Sequence, residues 1–194
     1  MNVLIIPEDF RKDQYVVKPI IKKMLAELGR PNAKVEVCFD PLLGGIGEAL
    51  KWSRIREVLS MNRGMVDVFL LLVDRDGVEG RRQRLDDIES RAAEYLGDTR
   101  ILFGENAWQE IEVWVIAGQD LLEGWSWQEI RDEVNPKETY FEPLACSRGL
   151  VHEPGEGRKT LGREAAANYS RLRSRCKKDL GNLEKRLSDW LARS

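Results

Sequence analysis

With 194 residues, 42% of them hydrophobic and 33% charged, and a net charge of −2, the chain has the length and composition of one globular domain, which excludes a disordered or low-complexity protein. No apolar stretch approaches the ~20 residues that cross a bilayer, and the opening apolar run is too short and lacks the basic start of a signal peptide. A cytoplasmic protein with no membrane partner is therefore expected, and three scattered cysteines (Cys38, Cys146, Cys176) with a single histidine (His152) exclude a disulfide framework and a zinc site.

In chain order, residues 3–7 form a short apolar run that predicts a buried strand. Val17, Ile20, Ile21, Met24, Leu25 and Leu28 then recur at the spacing of one helical face, so residues 14–28 predict a helix. Gly29-Arg30-Pro31-Asn32 supplies its stop. Residues 34–39 alternate and are expected as a second strand. A Gly-rich turn at 41–47 leads into a helix expected over 48–61. Residues 66–73 are nearly continuously apolar, the pattern of a strand covered on both faces in a parallel sheet. A helix over 81–96 and a shorter strand over 100–103 follow. This alternation predicts a parallel α/β sheet of about four strands with right-handed crossovers.

Beyond Gly104 the rhythm changes. Residues 111–117 are apolar and tryptophan-bearing, and periodicity does not separate helix from strand there. Residues 136–154 read as an extended, loop-rich connection. From Leu161 to Trp190 a spacing of three to four apolar residues predicts helices, with Gly181 as a break or kink. The expected organisation is an α/β domain over residues 1–120 and a helical extension over 121–194 packed on the same core. From Arg158 onward eleven Lys or Arg face four acids, a local charge of +7, so the preceding residues carry −9. A basic tail on an acidic body points to an anionic partner, nucleic acid first, or to no more than a solvated helix face.

Functional groups in an open parallel sheet gather beyond the carboxyl ends of its strands. Two expected strands end in acid there: the first runs into Glu8-Asp9, the third into Asp74-Arg75-Asp76-Gly77. In a turn-forming D-x-D both carboxylates reach one point, and hard divalent cations such as Mg²⁺ or Mn²⁺ take such oxygen ligands. The bland alternative is a turn at Asp76-Gly77 with Asp74 as a helix cap.

The order strand, Glu, helix, strand, helix, long apolar strand, D-x-D-G resembles the TOPRIM domain, which is Rossmann-like. The likeness is greatest to stand-alone OLD-type TOPRIM nucleases associated with ATPases, whose pattern includes a segment like Ile111-Glu112-Val113-Trp114. The chain departs from the family's usual Glu-Gly in having Glu8-Asp9, which leaves open which acid faces the metal. The resemblance implies Glu8 as metal ligand or general acid/base, Asp74 and Asp76 as metal ligands, and Glu112 as a further one. It also implies a lysine near the metals, for which Lys159 is the candidate, able to neutralise charge developing on phosphorus. The implied activity is Mg²⁺- or Mn²⁺-dependent hydrolysis of DNA or RNA, with a partner ATPase and a role in defence against mobile DNA. Alternatives are a non-catalytic module that docks an ATPase or nucleic acid, and a small-molecule phosphatase.

Other signals are weaker. Gly45-Ile46-Gly47 lacks the third glycine of a dinucleotide fingerprint, Leu50 standing in its place, although the loop has N–H groups to offer a phosphate. Gly157-Arg158-Lys159-Thr160 is not a P-loop. Trp108, Trp114, Trp125 and Trp127 are expected to pack the second half onto the sheet, with base stacking as the alternative.

Overall fold

A computed structural model describes residues 1–41, 43 and 45–193. Leu42 and Gly44 of the expected 41–47 turn lie outside the described residues. Four strands, β1 (Asn2–Pro7), β2 (Lys34–Val37), β3 (Val68–Asp74) and β4 (Ile101–Ala107), form one sheet in the order β2-β1-β3-β4, and every pairing is parallel. The Rossmann-like α/β architecture expected from the alternation is present.

Alternate residues of β1 and β3 divide between two apolar layers. Val3, Ile5, Val68, Leu70 and Leu72 face the layer built with α1 (Phe10–Glu27), α5 (Glu112–Ala117) and the C-terminal helices. Leu4, Ile6, Phe69, Leu71 and Val73 face α3 (Trp52–Asn62) and α4 (Arg81–Leu96). Residues 68–73 are therefore buried on both faces, which is why β3 reads as an unbroken apolar run. The expected helix over 48–61 is two helices, α2 (Ile46–Ala49) and α3, separated at Leu50 and Lys51.

The second half departs further from expectation. Strand β4 extends through Gly104-Glu105-Asn106, poor strand formers held there by tertiary partners. Arg82 donates to the Gly104 carbonyl at 2.8 Å, and Glu105 accepts from Asn182 at 3.1 Å. Residues 111–117, ambiguous by pattern, hold the helix α5. A short helix, α6 (Trp127–Asp132), is capped by a reciprocal Ser126–Glu129 box.

The extended connection expected over 136–154 is corrected. It contains a π-helical turn, Lys137–Phe141, continuing into α7 (Glu142–Ser147). Phe141, Leu144 and Ala145 supply a buried face at helical spacing, and Pro143 falls in the first turn, where proline lacks no needed N–H.

The C-terminal region is helical as expected, but Gly181 is not its break. Helices α8 (Arg158–Ala167), α9 (Tyr169–Arg175) and α10 (Leu180–Leu191) are separated at Asn168 and over 176–179, and Gly181 lies in the first turn of α10. Their apolar residues Leu161, Leu172, Leu180, Leu183 and Leu187 belong to the same core layer as α1. Among the described residues no helix is long and apolar enough to cross a membrane.

Candidate functional site

The strand order reverses between β1 and β3: from β1 the chain moves outward to β2, and from β3 it moves the other way to β4. Ligands in open α/β sheets bind at the crevice this reversal opens beyond the carboxyl ends. Pro7 is in register with Leu72, which sets Glu8 level with Val73, one residue short of Asp74, and both acids lie close together at that crevice.

Glu8 accepts a hydrogen bond from the Ile46 N–H at 3.0 Å through Oε1, while Oε2 is buried without a partner. The N–H that the Gly-rich loop offers here thus serves Glu8, not a phosphate. Burial and the nearby Asp76 raise the proton affinity of Glu8, opposed by the Asp74 and Ile46 backbone and by Arg81. Asp9 is occupied otherwise: it caps α1, its side chain accepting from the Arg11 N–H at 3.0 Å. Of the two acids after β1, Glu8 faces the centre.

Asp74 accepts from the Ile111 N–H at 2.8 Å. Burial, then Glu112, Asp13 and Glu8, push its carboxyl well above the ordinary range. The D-x-D-G turn is fastened from β4 by Gln109. Its carbonyl accepts from Arg75 N–H (2.8 Å) and Asp76 N–H (3.0 Å), and its Oε1 accepts from Gly77 N–H (2.9 Å). Asp76 and Gly77 both sit at positive φ (51° and 64°), a conformation that glycine adopts freely and Asp tolerates. The Asp76 carboxylate is turned to Arg81 Nη2 at 3.1 Å.

Glu112 is buried in the first turn of α5, and its Oε1 accepts from Arg158 Nε at 2.8 Å and also from Nη2. Lys159, in the first turn of α8, makes no side-chain hydrogen bond or ion pair among the described residues. The cation in contact with Glu112 is its neighbour Arg158, buried against the Phe141 ring.

One acid of the group carries no sequence signature. Asp13, one turn into α1, accepts from the Asp9 N–H at 3.0 Å. Burial, followed by Glu112, Asp9 and Glu8, raises its carboxyl to about 7 against the Asp9 hydrogen bond. Only its place on the first turn after Glu8 hints at it. Glu110 is likewise raised to about 7 by burial, against its hydrogen bond from Lys137 N–H.

Asp74 and Asp13 are thus each opposed by the negative charges of Glu8 and Glu112, with Asp76 against Glu8. All-oxygen donors that repel one another, one of them with an orphaned buried oxygen, have the chemistry of a hard-cation site. Among the described residues no three His, Cys, Asp or Glu side chains converge to hold an ion as they stand. Mg²⁺ usually keeps several waters and takes only one or two carboxylates, so the acids fit that ion without a three-carboxylate cage. No protein-family model, curated protein or solved structure matches the chain. The class the fold and site define is an α/β protein with an acidic centre at its topological switch point.

Proposed function

We propose that the chain is a divalent-metal-dependent nuclease of TOPRIM type, hydrolysing phosphodiester bonds of DNA or RNA. The observation that carries this reading is the closeness of Glu8 and Asp74 at the strand-order reversal, with Glu8 Oε2 buried and unpartnered. One or two of Glu8, Asp74 and Asp76 would hold Mg²⁺ or Mn²⁺, which keeps waters in its other positions. A bound ion of this kind lowers the pKa of water and stabilises charge on the leaving oxygen. Asp13, raised to about 7 by burial, is suited to accept and return protons near neutral pH, and burial raises Glu8 in the same direction. A partner ATPase, and a role in defence, rest on the family resemblance alone.

A second reading has its own support. Arg158 neutralises Glu112 and Arg81 neutralises Asp76, so two of the acids have protein cations as partners. A non-catalytic module that docks an ATPase would keep such pairs for stability.

Titrating Mg²⁺ and Mn²⁺ into wild type and an Asp74→Asn/Asp76→Asn double variant separates the two. Heat release and cleavage of mixed nucleic acids, both lost in the variant, are expected. A wild type that takes up neither ion would sink the nuclease reading in favour of the docking module.

A further inference from the structure

Helix α4 begins with charges of the sign its dipole disfavours. Its first turn carries Arg81, Arg82 and Arg84 and no acid, and Gly80 provides no side-chain cap. A helix N-terminus attracts anions and repels cations, so three arginines there make sense with an anion among them. Gly80, Arg81 and Arg82 of this stretch, but not Arg84, line a cleft of about 350 Å³ with Arg75, Trp108, Lys178 and Asp179.

Two buried residues on the cleft wall are incompletely bonded. Arg81 is 5% exposed; its Nη2 serves Asp76 and the Arg75 carbonyl, and its Nε has no partner. Asp179 is 2% exposed. Its Oδ2 accepts from Trp108 N–H, Trp114 Nε1 and Arg131, and its Oδ1 has no partner. An unmet buried donor and an unmet buried acceptor are each costly, and both belong to residues that line the cleft.

The free cations agree. Arg75 lies 4.0 Å over the Trp108 ring, and neither Arg75 nor Lys178 makes an ion pair among the described residues. Arg82 is already spent on Asp86, Glu89 and the Gly104 carbonyl. The cleft acid Glu105 is paired with Arg82, while Glu79, exposed at the rim, makes no ion pair among the described residues.

We propose that this cleft binds the phosphate of a nucleotide unit. The phosphate sits at the start of α4 against Arg75 and Lys178, and the base lies beside the Trp108 ring, which Arg75 (4.0 Å) and Arg131 (5.0 Å) flank. Aromatic faces accept bases of any sequence. The cleft adjoins the acids through Arg75 and Arg81 but requires no metal, so it stands or falls apart from hydrolysis.

The test is calorimetry of the full chain in EDTA with three probes: inorganic phosphate, a 5′-deoxymononucleotide and a short single-stranded oligodeoxynucleotide. Binding of at least one probe is expected, with affinity falling at least about tenfold, about 1.4 kcal/mol, in an Arg75→Gln/Lys178→Gln variant. Lys22→Gln, an exposed lysine on the helix across the sheet, is expected to bind as wild type. Mononucleotide binding would mark a free nucleotide as ligand, and oligonucleotide binding alone a strand; either supports the cleft. No binding of any probe, or equal loss in the Lys22→Gln protein, overturns it.

Discussion

Asp13 shows how a carboxylate that no motif announces becomes part of the acidic centre. It lies half-buried on the first turn of α1, near Glu112 and Glu8, and its carboxyl rises from 3.8 to about 7. The folded chain therefore holds this proton more tightly than the unfolded chain does. Stability from this residue is full below about pH 3.8 and is lost as pH rises through about 7. Replacing it with Asn keeps an oxygen to accept the Asp9 N–H and removes the titration. The melting temperature of Asp13→Asn is expected to fall less than that of wild type between about pH 4 and about pH 8, as read by circular dichroism. Under the metal reading, Mg²⁺ raises the wild-type melting temperature more at the alkaline end, because the ion competes with protons for the same oxygens. Equal slopes for the two proteins would show that Asp13 does not titrate in this window. Glu8 and Asp74 were legible in the sequence because each stands at the carboxyl end of an apolar strand, and Asp76 because it completes the D-x-D-G turn there. Asp13, Gln109 and Arg158 were not, because their roles depend on which strands are neighbours and on how α8 crosses α1.

Helices α1, α5 and α8 approach one another at two glycines, and this contact places Arg158 over Glu112. A methyl group on Gly162 would stand 2.5 Å from the Tyr15 carbonyl oxygen, and one on Gly118 would stand 2.7 Å from the Ala165 Cβ. Both obstacles include backbone or a side chain fixed to it, so the helices must separate. Gly118→Ala and Gly162→Ala are each expected to cost about 1–3 kcal/mol, a fall of several degrees in melting temperature for a chain of this size. Since α8 carries Arg158, separation also loosens its bond to Glu112. Unchanged melting of both variants would mean that the close approach is not maintained in solution. This contact also explains which elements a pattern reveals. The run in β3 and the stripe on α1 announce themselves because they are long and regular. Helices α5, α6, α7 and α9 have six or seven residues each, too few to be stable alone. Their helicity comes from the surfaces they meet, which local sequence does not encode.

At the scale of the whole molecule, the expected division near residue 120 is a boundary in pattern, while the core runs across it. Val16, Val17, Ile20 and Ile21 of α1 share one buried layer with Trp114 of α5 and with Leu161, Leu172, Leu180, Leu183 and Leu187 of the last three helices. Polar groups cross it as well: Arg186 on α10 donates to the Gly104 carbonyl of β4 at 3.1 Å, and Asn168 donates to the Gly118 carbonyl at 3.0 Å. Removing residues 158–194 would expose the α1 layer to water and leave Glu112 buried without Arg158. Breaking a buried pair on one side alone costs roughly 3–5 kcal/mol, a large share of the roughly 5–15 kcal/mol that stabilises a typical domain. A chain ending at residue 157 is therefore expected to lose its cooperative thermal transition and near-ultraviolet circular dichroism while binding a hydrophobic dye, the behaviour of a collapsed state without fixed packing. A cooperative melt close to that of the full chain would instead make the α/β part an independent unit, and the basic C-terminal helices an appendage. The full chain is accordingly the form in which metal, nucleotide and nucleic-acid binding should be measured, because the acidic centre owes Arg158, and the cleft beside it Lys178 and Asp179, to the helices a truncation would remove.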